Sequence, residues 1–395
     1  MAVTLQRSQV PATTRRLAWL DALRGIAALV VVYEHALKPL LPEARQAGGP
    51  WFAPGWYGVL VFFLVSGYIV PASLERKGSV RDFWISRVFR LYPLWAVCVA
   101  GALLLAVVGL DELHIWNTQR PVAAIVGHLT MLQDLLNVPN VVNVLWTLSY
   151  EMSFYLLLTA MFVLGWHRRS LHAALGFAVV GVAGASVLPS VLWSHGWSAT
   201  HVVVIVVACA VVCGLVAVLR GGATVRKAGA VLLAVTALAL LTCNGRFPAW
   251  QSLTILATMF SGTVLYRAEQ GEISWPVAAL VVLVPVGMVA VDGSFATRAA
   301  TVAAWASFAI GMALRHREMP RVLAWLGLVS YSVYLLHPLL LETVDGLLPH
   351  PEQVALGWRL VMLAGVVGLL LGLSALTWCF VEAPAQRWGR RLAGR

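Results

Sequence analysis

Arg24 and His35 stand eleven positions apart in the first apolar stretch of the chain, Leu17 to Leu41, which reads LAWLDALRGIAALVVVYEHALKPLL. At about 100° per helical residue, that spacing brings the second side chain to within about 20° of the first, three turns on and roughly 16 Å away. One helix face thus carries a permanent cation and a titratable imidazole. Asp21 and Glu34 share the stretch, and ionisable groups at membrane depth cost several kcal/mol unless they are paired or used. The pattern is that of one wall of a polar cavity inside a bilayer.

Further islands of polarity follow. Arg81, Arg87 and Arg90 gather at the start of a later helix, and Arg87 and Arg90, three apart, are neighbours on one face. Two guanidinium forks held in this way suit a phosphate or pyrophosphate, and equally an anchor among lipid headgroups. Ser66-Gly67 fits close helix packing. In NVLWTLSYEMSFYLLL, Glu151 lies about two turns inside an apolar helix with Ser149, Tyr150 and Tyr155 near it. Such a carboxylate either faces a cavity or forms a structural ion pair, with Arg24 as the partner. In GLVSYSVYLLHPLLLE, a stripe of Ser330, Tyr331, Ser332, Tyr334 and His337 precedes Pro338, which loosens the backbone; His337 reads as a packing residue or as a catalyst. Glu382 and Pro384, in FVEAPAQRWGRR, meet the cytoplasmic interface in this reading.

Several chemistries have no signature. The remaining histidines form no His-x-x-x-His set, so no metal is expected. There is no Gly-x-Ser-x-Gly elbow, phosphate loop or dinucleotide fingerprint. The five cysteines lie in or beside apolar runs without a Cys-x-x-Cys pair, and they read as small core hydrophobes.

The elements that hold these residues must be membrane helices. Of 395 residues 60% are hydrophobic and 11% charged, with a mean hydropathy of +0.82, outside the range of soluble globular chains. Hydropathy predicts an all-α, polytopic transmembrane bundle of about 10–12 spans, near 17–38, 57–74, 88–110, 141–164, 171–193, 200–219, 226–243, 251–267, 275–291, 298–314, 325–347 and 355–381. Of the 28 basic residues, 21 fall in one set of alternate loops and 6 in the other, which places both termini in the cytoplasm. Scattered in this way, the +11 charge does not describe a nucleic-acid surface. Val122 to Leu136 is apolar but short and broken by His128, Gln133 and Asp134, so a helix lying at the outer face is expected there. The polar leader carries no cleavage pattern, so the first span is expected to stay as an anchor. The domain reading is a cytoplasmic leader at 1–16, one transmembrane catalytic domain at 17–386 and a basic cytoplasmic tail at 387–395.

In order along the chain, Arg24 with His35, FFLVSGY at 62–68, Arg87-x-x-Arg90, WTLSYEMSFY at 146–155, GLVSYSVYLLHP at 327–338 and VEAPAQRW at 381–388 make the sequence resemble the acyltransferase-3 family of integral-membrane O-acyltransferases. The resemblance runs nearly end to end. It implies a multi-pass protein of a bacterial plasma membrane that takes an acyl group, commonly acetyl, from acyl-coenzyme A and delivers it to a hydroxyl of a sugar, glycan or macrolide-type natural product. Some members add a periplasmic hydrolase-like domain, and none is expected after the last span here. Under this reading His35 is a general base or an acyl acceptor, and Glu151 orients His35 or Arg24. Arg87, Arg90, Arg24 and Ser66 hold the coenzyme, and Tyr150, Ser330, Tyr331 and His337 face the acceptor or the oxyanion. The competing class is a transporter, which would show two matching halves with broken helices; the polar islands instead fall in spans one to four and eleven.

Overall fold

The structure is a computed structural model that describes residues 18–110, 113–348, 350 and 353–394; the expected leader at 1–16 lies outside these. The described residues are helices and their connections, with no strand among them. In chain order they are α1 (Ala18–Leu40), α2 (Pro42–Gly48), α3 (Pro54–Lys77), α4 (Val80–Val107), α5 (Ile115–Gln119), α6 (Pro121–Leu129), α7 (Trp146–Val163), α8 (Ser170–Gly184), α9 (Trp197–Arg220) and α10 (Ala223–Ala239). Then come α11 (Ala249–Glu269), α12 (Trp275–Asp292), α13 (Phe295–Ala313), α14 (Arg321–Leu347), α15 (Leu356–Thr377) and α16 (Ala383–Leu392). A 3₁₀ turn at Asn143–Leu145 leads into α7, and π-helical turns follow α10 at Leu240–Asn244 and α15 at Trp378–Glu382.

Each expected span holds a helix, the one expected at 171–193 ending at Gly184, and 7 helical stretches are long and apolar enough to cross a membrane: the α3, α4, α7, α9, α10, α14 and α15 regions. The protein is a polytopic helical bundle. α1 is set apart from these by its own charges, and α8 by its 15 residues. The segment from Val122 is α6, 9 residues long, followed by turns in which Met131 and Asn137 take positive φ; it is too short to span.

α7 and α11 form the centre. Almost every residue of α11 is buried, and its hydroxyls bond the carbonyls one turn back: Thr254 to Trp250, Thr258 to Thr254 and Ser261 to Ala257. This satisfies polar groups where water is excluded. The rim is apolar. Val202 and Val206 on α9 and Leu369 on α15 are exposed, as suits surfaces facing lipid. The rim also corrects the reading of the cysteines. Cys98 is in the core, but Cys209, Cys213 and Cys379 are exposed and Cys243 is half-buried, because in hydrocarbon an outward thiol loses nothing.

Glycines bring the helices together. A Cβ on Gly25 would sit 2.7 Å from the Leu326 Cβ, and one on Gly262 would sit 2.6 Å from the Leu64 carbonyl. Backbones therefore approach closely where α1 meets α14 and where α3 meets α11. Ser79 starts α4, its hydroxyl accepting from the Asp82 amide at 3.3 Å, just after Gly78 ends α3 with φ 63°. The arginines of the expected tail are helical, on α16, whose Gly389 lies against Phe89 of α4.

Candidate active site

Five helices, α1, α3, α4, α7 and α14, surround a narrow cavity of about 60 Å³ lined by Arg24, Phe62, Ser66, Arg90, Thr147, Glu151, Tyr331 and Tyr334 among others. The structure thus brings together six of the residues singled out in the sequence: Arg24, Ser66, Arg90, Glu151, Tyr331 and Tyr334. Among the described residues Arg24 has only a loose ion pair, 4.0 Å from Asp21 one turn before it. Arg90 makes no hydrogen bond or ion pair among the described residues. Two guanidinium groups with donors to spare therefore share one small cavity, which is an arrangement for an anion or for developing negative charge.

Glu151 is held differently from the expected pair with Arg24. It accepts from the Tyr155 hydroxyl, one turn along α7, and from the Ser66 hydroxyl at 3.5 Å. Behind Tyr155 lies Arg87, its guanidinium 5.4 Å from the Phe83 ring centroid and 5.5 Å from that of Tyr155. Arg87 is buried and does not line the cavity. Its spacing from Arg90 makes the two helical neighbours, but aromatic packing turns Arg87 toward α7. The sequence reading placed both at the coenzyme; the structure puts Arg90 at the cavity and Arg87 behind it.

His35 and His337 lie ring against ring, centroids 4.9 Å apart and planes at 63°. The His35 Nδ1 lies 2.9 Å from the Val31 carbonyl and the His337 Nδ1 lies 3.2 Å from the Val333 carbonyl. A carbonyl only accepts, so each Nδ1 donates, and in the neutral form of either ring the Nε2 presents a lone pair. His337 is fully buried, and its Nε2 has no hydrogen-bond partner among the described residues. Tyr334 joins the pair to the cavity: its ring is 5.9 Å from that of His337, and it lines the cavity wall.

Two expected oxyanion donors are elsewhere. Tyr150 shares a 3.0 Å hydrogen bond with Ser252 of α11, and Ser330 donates to the Gly327 carbonyl at 2.8 Å; neither lines the cavity. One turn of helix separates the cavity-facing Thr147 and Glu151, and Tyr150, next to Glu151, falls on the other side. Tyr331 is at the cavity, but its hydroxyl donates to the Leu91 carbonyl at 3.0 Å.

Glu382 is enclosed by the protein rather than presented on its surface. It is 3% exposed and accepts from the Ser332 hydroxyl at 2.5 Å, which in turn accepts from Thr377 at 2.8 Å. The π-helical turn at Trp378–Glu382 rotates it inward, within electrostatic reach of Arg90 and Arg24. A carboxylate near the end of a strongly apolar helix was the signal for it. Outside the spanning helices, Asp134 is 1% exposed, with one oxygen accepting from Asn140 at 3.3 Å and the other unpartnered among the described residues. Burial raises it from the ordinary 3.8 to about 6, against the pull of Arg246.

Comparison with known proteins places the chain among acyltransferases. Acyltransferase MdmB of Streptomyces mycarofaciens is 32% identical over 37% of this chain and 39% of its own length. The putative peptidoglycan O-acetyltransferase YrhL of Bacillus subtilis is 25% identical over 96% of this chain and 56% of its own length. O-acetyltransferase OatA of Staphylococcus aureus is 28% identical over 39% of this chain and 26% of its own. The chain thus spans about half or less of the curated relatives it matches. No solved structure matches. The sequence profile of the acyltransferase domain matches residues 17–378, which include Arg24, His35, Arg90, Glu151 and His337, and the chain belongs to the acyltransferase 3 family.

Proposed function

We propose that this protein transfers an acyl group, acetyl in keeping with its relatives' names, from acyl-coenzyme A to a hydroxyl of a sugar, glycan or glycosylated natural product at a bacterial plasma membrane. The observation that carries the reading is the meeting of Arg24, Arg90 and Glu151 on one cavity, with the His35–His337 pair reached through Tyr334.

In this mechanism the Nε2 of His35 takes the proton of the acceptor hydroxyl as its oxygen bonds to the thioester carbonyl carbon. Arg24 and Arg90 face the negative charge that collects on the carbonyl oxygen or on the donor's phosphates. Collapse of the adduct breaks the carbon–sulfur bond, and the imidazolium returns its proton to the leaving thiolate. The ester and free coenzyme A are the products, and no proton is left over. Glu151, fixed by Tyr155 and Ser66, balances the two arginines, and Arg87 holds Tyr155 from behind. In an alternative order His35 takes the acyl group first, which gives ping-pong kinetics. The excess of basic residues in alternate loops supports cytoplasmic termini and donor entry from that side.

The test supplies purified protein in detergent with labelled acetyl-coenzyme A and a glycan acceptor, and compares wild type with His35→Ala at matched folded yield. Coenzyme A release and labelled acceptor, both lost in the variant, are expected. A well-folded wild type that turns over no acyl chain from acetyl to palmitoyl with any glycan or natural-product extract would overturn the reading in favour of a transporter.

A further inference from the structure

A second cavity, about 560 Å³ and mostly polar, opens among the loops at the ends of α5, α7, α9 and α14; its walls include Asn143, Trp197, Arg246 and Glu342. Its size falls within the ~300–1,000 Å³ usual for small-ligand sites. We infer that this cavity binds a glycosyl group, and that it is where the acceptor of the proposed transfer is held; the inference rests on that transfer only for the word acceptor.

Chemistry selects the ligand class. The walls carry one permanent cation, Arg246, and one carboxylate, Glu342, together with amides, indoles and the imidazoles of His114 and His195. That balance does not suit a phosphate, and the polarity does not suit an acyl chain. Asn143 and Arg246 are exposed and make no side-chain hydrogen bond among the described residues, so their donors and acceptors are open to a ligand. Trp197 is 44% exposed at the same wall. An amide that both donates and accepts, a guanidinium fork and an indole face together match vicinal hydroxyls on a ring with an apolar face.

The wall behind is rigid. Asn137 donates to the Ser194 carbonyl at 2.9 Å, Asn244 donates to the Leu135 carbonyl at 2.9 Å, and the Gln133 amide donates to Asn140 at 3.1 Å. These bonds tie the loop before α7 to the segment before α9 and to the π-helical turn after α10, so the cavity is preorganised rather than a gap between mobile loops.

Its position links it to the narrow cavity. Asn143 lines the polar cavity and Thr147 lines the narrow one, one helical turn or about 6 Å apart along the same segment. On α14, Glu342 at the polar cavity lies eight residues, about 12 Å, past Tyr334 at the narrow one, and His337 falls between them. A ring seated against Asn143 and Glu342 would extend a hydroxyl toward the histidine pair.

The experiment measures binding to the full-length protein in detergent by titration calorimetry, with two probes: the tetramer of N-acetylglucosamine and a glycosylated macrolide. Binding of at least one is expected, the arm that binds telling glycan from natural product. The double variant Asn143→Ala/Trp197→Ala should weaken it at least tenfold at unchanged melting temperature, and Arg246→Ala, on a separate loop, repeats the test. In the transfer assay the same variants should raise the acceptor KM by a similar factor and leave the acetyl-coenzyme A KM within twofold. A wild type that binds neither probe at millimolar concentration, or variants that bind as wild type does, would overturn the inference. Sugar binding lost in the variants, with no acyl transfer by wild type, would support the site and overturn the reaction instead.

Discussion

His35 of α1 and His337 of α14 face each other at a 4.9 Å ring separation because the two helices run parallel in a fixed register. Gly25 meets Gly327 near the start of the contact, and both pairs differ by 302 positions. A small-residue contact and an imidazole pair are thus two marks on the same seam, ten residues apart. The seam sets the height of both Nε2 atoms relative to the cavity that Tyr334 lines.

The first prediction separates the two rings. His35 is half-buried, whereas His337 is fully buried. His35→Ala should lower kcat by ~10²–10⁴ with an unchanged melting temperature. His337→Phe, which keeps an edge against His35, should retain more of the activity than His35→Phe does. Steady-state rates and melting curves on both sets check this, and equal losses in the two would refute the division of roles.

A second prediction tests the seam. A Cβ on Gly327 would collide with the backbone of Asp21, and one on Gly25 would sit 2.8 Å from the Gly327 amide nitrogen. Neither neighbour is the end of a flexible side chain, so α1 and α14 must separate. Gly327→Ala should cost roughly 1–3 kcal/mol, read as a lower melting temperature in detergent, and should reduce kcat beyond what stability explains. Gly368→Ala on α15, where the added Cβ meets open space, is the control and should change neither.

The helices were legible because a bilayer leaves a chain few options: an apolar run must satisfy its backbone internally, so each expected span holds a helix. The residues of the cavity were legible for the same reason, since Arg24, Arg90 and Glu151 are costly in an apolar run. What periodicity did not carry was the rotation of individual side chains. Arg87 is drawn behind Tyr155 by two rings, Tyr150 pairs with Ser252 of a helix a hundred residues later, and a π-helical turn brings Glu382 inward. The polar cavity at the loop ends combines residues from 114 to 342 with no shared motif, and only the folded chain assembles it.

Asp134 gives a third prediction, on stability against pH. Its carboxyl titrates near 6 in the fold against an ordinary 3.8, because burial disfavours the anion. The folded protein therefore holds this proton more tightly than the unfolded chain does. The stabilising contribution is fully present below about pH 4 and is lost as pH rises through about 6. Asp134→Asn removes the dependence, so at pH 7.5 it should be the more stable protein, by up to roughly 3 kcal/mol, and should match wild type near pH 4. Melting curves from pH 4 to 7.5 check the crossover, and a difference that does not vary with pH would refute it.

The final prediction concerns the two arginines that sequence spacing paired and the structure separates. Arg90 lines the cavity without an ion pair among the described residues, whereas Arg87 is 7% exposed and packs over Phe83 and Tyr155. Removing Arg90 takes away a charged donor aimed into the cavity, worth about 1.5–3 kcal/mol, so Arg90→Ala should weaken donor use, read as kcat/KM for acetyl-coenzyme A, by ~10–100-fold at normal yield. Arg90→Lys should recover only part of this, since an ammonium cannot form the paired bonds of a guanidinium. Arg87→Ala acts through Tyr155 and its bond to Glu151, and it also leaves a void beside two rings. It should lower folded yield and melting temperature first, with the remaining folded enzyme keeping a donor KM close to wild type. The reverse result, a stable Arg87→Ala protein with a raised donor KM and an Arg90→Ala protein without one, would return the coenzyme to Arg87.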